Sequence, residues 1–208
     1  MIRRIGLAFA IGLVSAGVLV ACGDSRGAPA GQESPRAVLE KVHRSVLGRE
    51  RSRFLECFPQ VSDRQALADA GYDYCIAVHD LYALLMERFG DGAVGSFRET
   101  ALKDGFNVGL AVIPMTTAWP DSVAISGIST NETEARVRLD NGQVQRWKIK
   151  KSGEAWYVWW SPTSKHAKLP EIREQFKQIA AAVREAIAAA KADRSMTILD
   201  IKRAMIEE

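Results

Sequence analysis

The chain has 208 residues, with 28 lysines and arginines against 25 aspartates and glutamates, 47% hydrophobic and 8% aromatic residues, and three cysteines. That length gives one compact domain with a sizeable core and some peripheral segments. The composition excludes collagenous, disordered, cysteine-stapled and polytopic membrane proteins.

Met1-Ile2-Arg3-Arg4 is a short basic start, and Ile5 to Val20 follows without a charge. A basic start, an apolar run and small residues at its close describe an export signal, residues 1–21, rather than a fold element. The run falls short of the ~20 residues of a bilayer span. Leu19-Val20-Ala21-Cys22 resembles the lipobox of bacterial lipoproteins. The resemblance implies that Cys22 is the lipidated first residue of the mature chain, carrying diacylglyceryl and further acyl (palmitate-type) chains. Two or three such chains hold a protein on a membrane, whereas one binds only marginally. Gly23 stands where the family's inner-membrane retention signal has Asp, which implies an outer-membrane location facing the periplasm where the cell has one.

Loss of residues 1–21 removes Arg3 and Arg4 and no acid, so the net charge falls from +3 to +1. A nearly neutral chain lacks general attraction for nucleic acid or anionic lipid, and no nucleic-acid partner is expected. Residues 22–34, rich in Gly, Ala, Ser and Pro, read as a flexible tether ahead of a domain at 35–165 and a helical segment at 166–208.

From Ser34 the apolar positions Val38, Leu39, Val42, Val46, Leu47, Phe54 and Phe58 follow a helical period, with Ser34 as N-cap and Pro35 at the first helical position. A second helix is predicted from about Tyr72 to Phe89, with Val78, Tyr82, Leu85, Met86 and Phe89 on one face. Cys57 and Cys75 fall on these two stripes. In an oxidising compartment they invite a disulfide worth roughly 3 kcal/mol, against the alternative of two buried thiols that never meet. Asp91 to Gly105 reads as a short helix, and residues 106–120, broken by Pro114 and Trp119-Pro120, as a connection.

The period then changes to two. Ser122–Ile128, Glu132–Leu139, Val144–Lys150 and Ala155–Ser161 are strand candidates separated by turn residues. A two-residue Asn141-Gly142 turn would mix apolar and cationic side chains on both faces. A three-residue loop with Gly142 in the left-handed region instead aligns Ala135, Val137 and Leu139 with Trp147 and Ile149, and that register is predicted. It sets Arg136 opposite Arg146 and Glu134 opposite Lys148 on the outer face. The next hairpin puts Trp156, Val158 and Trp160 inside, and Tyr157 and Trp159 outside beside Lys148 and Arg146. Arg146, Lys148, Tyr157 and Trp159 are therefore candidate surface contacts through cation–π and stacking chemistry; the plainer alternative is a solvated sheet face.

From Pro170 an Ala-rich helix carries the stripe Ile172, Phe176, Ile179, Val183, Ala186, Ile187 and Ala190. Packing on its own domain is expected in preference to homodimerisation. Ser195 to Glu208 adds a short amphipathic piece. The whole is an α+β domain: N-terminal helices on a curved antiparallel sheet of about four strands, plus a long C-terminal amphipathic helix. This order, with the Gly153-Glu154-Ala155-Trp156-Tyr157-Val158 hairpin near its end, resembles the nuclear-transport-factor-2-like (ketosteroid-isomerase-like) cone over residues 34–162. Cystatin-like and lipoprotein-specific α+β folds stay open as alternatives.

The resemblance implies a pocket that in the family's enzymes holds a carboxylate with a tyrosine, and no matching motif is present here. His43, within the apolar arc of the first helix, is a candidate general base. Glu50 leans the same way, but two helical turns put it roughly 10 Å along the axis, too far for a direct bond. A lone histidine there more often sits hydrogen-bonded at the core edge, and Glu50 between Arg49 and Arg51 is more often solvated. His79 adjoins Asp80, which points away from it, and His166 lies in a loop. No Cys-x-x-Cys, phosphate loop, dinucleotide fingerprint, Gly-x-Ser-x-Gly or His-Glu-x-x-His occurs, so no cofactor or metal is expected. The expected function is a lipid-anchored envelope domain, non-catalytic, presenting a site for a protein partner or a small apolar ligand. The alternatives are an isomerase- or dehydratase-type pocket enzyme and a structural part of an envelope assembly.

Overall fold

The computed structural model describes residues 27–103, 123–138, 144–159 and 168–206. The export signal, Cys22, the connection around Pro114, the Asp140-Asn141-Gly142 loop, Trp160 and His166 lie outside the described residues. Along the described chain come α1 (Pro35–Leu47), α2 (Arg51–Glu56), α3 (Ser62–Phe89), α4 (Ala93–Lys103), four strands, α5 (Leu169–Ala192) and α6 (Ile198–Arg203). The strands are β1 (Val123–Ser129), β2 (Glu132–Arg138), β3 (Val144–Ser152) and β4 (Ala155–Trp159), an antiparallel meander in the order β1-β2-β3-β4. The architecture is α+β, as the change of period indicates.

α1 opens as predicted: Ser34 Oγ accepts the Ala37 amide at 3.1 Å, with Pro35 first in the helix. The continuous helix expected from Ser34 to Phe58 is broken, however. At Gly48 the chain leaves α1 through a left-handed turn, with Arg49 at φ 57. The Arg49 and Glu50 amides close back on the Val46 and Ser45 carbonyls, the hydrogen-bond pattern that ends helices. An arginine in that conformation costs about 1–2 kcal/mol that a glycine would not; its guanidinium is paired with Asp80 of α3.

The second helix is ten residues longer at its start than the period suggested, and its buried arc differs. Along its 28 residues Leu67, Ala68, Ala70, Tyr72, Tyr74, Cys75, Ala77, Val78, Leu81 and Leu85 are buried, whereas Met86 and Phe89 are exposed. α3 is the central strut, touched by α1, α2, α4 and α5, so burial wraps round it instead of following one stripe. Its main partner is α5, whose Phe176, Ala180, Val183, Ala186, Ile187 and Ala190 are buried. Alanines on both helices permit close approach, and Tyr74 stacks on Phe176 with ring centroids 5.3 Å apart. The α5 stripe is thus covered within its own chain, in line with the expectation of intramolecular packing.

Strand register matches the expectation. Ala135 pairs with Trp147, Arg136 with Arg146 and Glu134 with Lys148. Ala135, Trp147, Ile149 and Val158 join the helices in one buried cluster. Ile149 lies opposite Val158, and Trp156 shares the inner face opposite Lys151. The β3–β4 turn is the two-residue Gly153-Glu154, where glycine supplies the φ of 59.

α5 ends against Arg88 of α3. The guanidinium donates to the Ala190 carbonyl at 2.7 Å and to those of Asp193 and Met196 at 3.1 Å, satisfying acceptors a helix end leaves open. Arg88→Ala should cost roughly 2 kcal/mol and lower Tm by about 6 °C. Urea and thermal unfolding check this, and an unchanged midpoint would rule out a capping role.

Candidate functional site

The alternation of β2, β3 and β4 places apolar side chains against the helices and delivers the others to one outer face. Three rows cross it: Ala124–Arg136–Arg146, Ser126–Glu134–Lys148–Trp159, and Glu132–Lys150–Tyr157. Arg136 Nε bonds Glu134 Oε1 at 2.7 Å, and Glu132 lies 3.1 Å from Lys150 Nζ and 3.7 Å from Lys148 Nζ. The bond from Lys150, with the charge of both lysines, holds the Glu132 carboxyl below the usual carboxylate range. Arg146 and Lys148 are exposed, and Tyr157 and Trp159 are half-buried. Cross-strand opposition of Arg136 and Arg146 is a like-charge cost that the Glu134 bond to Arg136 relieves in part.

Trp159 stands opposite Lys148, as the alternation predicts, but its cation–π partners are other residues. Lys150 Nζ lies 5.1 Å from its ring centroid, and the Arg64 guanidinium of α3 lies over the ring at 4.0 Å. Lys148 is its cross-strand partner and Arg146 is one row away. Arg64 was beyond sequence reasoning, because it is 95 positions from Trp159 and lies before the point where the helical stripe becomes readable. Burial lowers its guanidinium pKa from the ordinary value.

A groove of about 590 Å3 lies on the other side of β4, between the Pro29–Gly31 turn, α1 and α2. Six of the seven charged residues that line it, all but Glu33, are paired with one another: Lys41 with Glu56 at 2.8 Å, Arg44 with Glu40 at 3.2 Å, and Arg53 with Glu50 at 2.8 Å. Glu50 lines this groove, and His43 does not. His43 is 8% exposed among the buried residues of α1, and burial together with Arg44 lowers its pKa. The two candidate catalytic residues are thus not assembled into one site. His79 Nδ1 is 3.9 Å from Asp80 Oδ1, and Asp80 is engaged by Arg49. Among the described residues no cluster of three or more histidine, cysteine or acidic side chains is arranged to hold a metal.

Of the two alternatives for the cysteines the structure has the second: Cys57 and Cys75 are both buried and are not joined in a disulfide. Cys57 follows α2 as its C-cap instead of continuing the α1 stripe, so the helix break redirects its side chain. Its Sγ is 3.3 Å from the Arg53 carbonyl, and its own carbonyl accepts the Val158 amide of β4.

The tether boundary also moves. Pro29-Ala30-Gly31-Gln32 is a turn closed by the Gln32 amide on the Pro29 carbonyl at 2.9 Å, with Gly31 at φ 78. A Cβ on Gly31 would lie 3.1 Å from Lys41 Cδ, so glycine is needed for both conformation and space. The turn delivers Gln32, 2% exposed, to the outer edge of β4. There its carbonyl accepts the Trp156 amide at 2.9 Å, and its side-chain amide donates to the Trp156 and Glu56 carbonyls at 3.2 and 3.0 Å. Residues 29–34 therefore belong to the domain.

No family model matches the chain, and neither a curated protein nor a solved structure matches it. Fold and site define an α+β domain with a cationic, aromatic sheet face. Among the described residues no helix is long and apolar enough to cross a membrane.

Burial pushes the Cys57 thiol up to about 12. At pH 8 the native protein should take iodoacetamide at Cys57 roughly a thousandfold more slowly than a free cysteine, and react readily once unfolded. Peptide mapping after timed alkylation checks this; rapid native labelling, or a two-hydrogen mass gain on reduction, would contradict the buried free thiol.

Proposed function

We propose that this chain is a lipid-anchored envelope protein whose domain is a non-catalytic binding module working through the outer face of its sheet. The observation that carries the reading is Trp159, held under the Arg64 guanidinium and beside Lys150 on a face where Arg136, Arg146 and Lys148 also emerge. A half-exposed indole among cations offers a ligand stacking, apolar area and charge together, without any acid–base machinery. His43 on the core side of α1, apart from Glu50, which is paired with Arg53 in the groove, favours binding over catalysis. The resemblance of Leu19-Val20-Ala21-Cys22 to a lipobox supports the anchor and export from the cytoplasm, and Gly23 supports an outer-membrane location facing the periplasm. The nuclear-transport-factor-2-like cone is proposed as the framework on the same order of helices and meander.

The anchor is tested with Cys22→Ser in a bacterial host fed a clickable palmitate. The wild-type chain should take the label and appear in the membrane fraction. The variant should lose the label entirely and keep residues 1–21. Equal labelling of both chains would refute the anchor.

A further inference from the structure

The outer sheet face and the tether meet at β4, and together they indicate what the face contacts. Resting on the anchored reading above, we infer that this face lies on the anionic lipid headgroups of the membrane that holds the anchor. Charge is the first argument. The mature chain carries a net +1, yet among the described residues of this face Arg136, Arg146, Lys148 and Lys150 stand against Glu132 and Glu134 alone. Arg146 has no carboxylate within ion-pair distance among the described residues, and Lys148 reaches Glu132 only at 3.7 Å. Those two cations keep their charge available for an outside partner.

Shape and side-chain type select the partner. The cations are spread in rows across the strands of the meander, which suits a surface of dispersed charges. Trp159 and Tyr157 stand among them, and indole and phenol rings are the side chains that settle at the headgroup level of a bilayer. Basic groups within a Debye length of an anionic leaflet each strengthen binding about fivefold.

The tether supplies the proximity. Gln32 fixes the incoming chain to Trp156, on the same strand as Tyr157 and Trp159. From Cys22 to Pro29 is seven residue steps, which span at most roughly 25 Å. A domain anchored at Cys22 is held within that distance of the bilayer by its β4 edge. The effective headgroup concentration is then high, and a patch too weak to recruit a free protein is sufficient to orient a tethered one. A lipid and a basic surface together form the two-signal arrangement that gives firm attachment.

The test uses the full chain reconstituted in neutral phosphatidylcholine vesicles and in vesicles with roughly 25% phosphatidylglycerol. Acetylation rates of individual lysines are read by mass spectrometry, and attachment is read by vesicle flotation. In the anionic vesicles Lys148 and Lys150 should react about threefold or more slowly than in the neutral ones, with Lys177 and Lys191 of α5 unchanged. About 0.5 M salt should restore their rates, and Arg146→Glu with Lys148→Glu should abolish the protection of Lys150. Equal rates in both vesicles overturn the inference. So does protection by soluble polyaspartate without protection by anionic lipid, which would assign the face to an acidic protein surface. Flotation separates the two claims. A chain that floats with neutral vesicles but gains no anionic protection keeps its anchor and loses the headgroup contact. One that floats only with anionic vesicles keeps the contact and loses the anchor.

Discussion

Trp156 turns both of its main-chain polar groups away from β3, at the outer edge of the sheet. Gln32 meets both, taking the amide with its carbonyl and capping the carbonyl with its side chain, while Cys57 takes the next outward amide, Val158. An unpaired strand edge is a template for association with other chains, and burying one without partners is costly. Here two non-strand segments close it. The same bonds join the first ordered turn, the end of α2 and the last strand, so the start of the domain is tied to a point 124 residues later. Without that closure the groove wall would open, and the chain entering at Pro29 would have no fixed position relative to the outer face.

The helical half is organised around α3 in a comparable way. Small residues let α5 approach it closely, and its polar positions serve as fastenings. Arg51 bonds Asp69 at 2.8 Å and Asp73 at 3.3 Å, Arg184 reaches Asp73 at 3.5 Å, and Gln65 donates to the main chain between Leu55 and Pro59. The ion pairs are solvated and each is worth about 0–1 kcal/mol. Their consequence is alignment: they hold α2 and α5 in register along α3, while burial of the apolar cluster supplies most of the stability. With the apolar cluster on the inner side of the sheet, the cationic rows stand on its outer face.

Periodicity revealed the parts of the fold in which one face is buried. The Ser34 cap, the meander, the β2–β3 register and the α5 stripe all follow from a 3.6 or 2.0 repeat that packing enforces. It failed where several neighbours surround one element. α3 is packed by four other helices, so no single apolar stripe marks its buried arc: Met86 and Phe89, on the stripe read from the period, are exposed, and its first turns show no clear stripe. It also could not see Gln32, Gln65 or Arg88, whose work is to satisfy main-chain groups far away in sequence. A long polar side chain in such a role looks like any solvated one until the fold brings its acceptors together. Of the outer face, Arg146, Lys148, Tyr157 and Trp159 were legible from alternation alone, whereas Arg64 required the tertiary arrangement. Cys57 leaves the stripe of the first helix because Gly48 and Arg49 break that helix ahead of it.

The closure of β4 is the point on which the rest depends, and amide hydrogen exchange at single-residue resolution reaches it directly. The account predicts that the Trp156 amide is protected to the same order as Tyr157, whose amide lies within the β3–β4 ladder, and that Gln32→Ala selectively releases Trp156. Exchange of Trp156 at the rate of an unstructured amide in the unaltered chain, with Tyr157 still protected, would mean an open edge and a detached tether, contrary to everything argued from it.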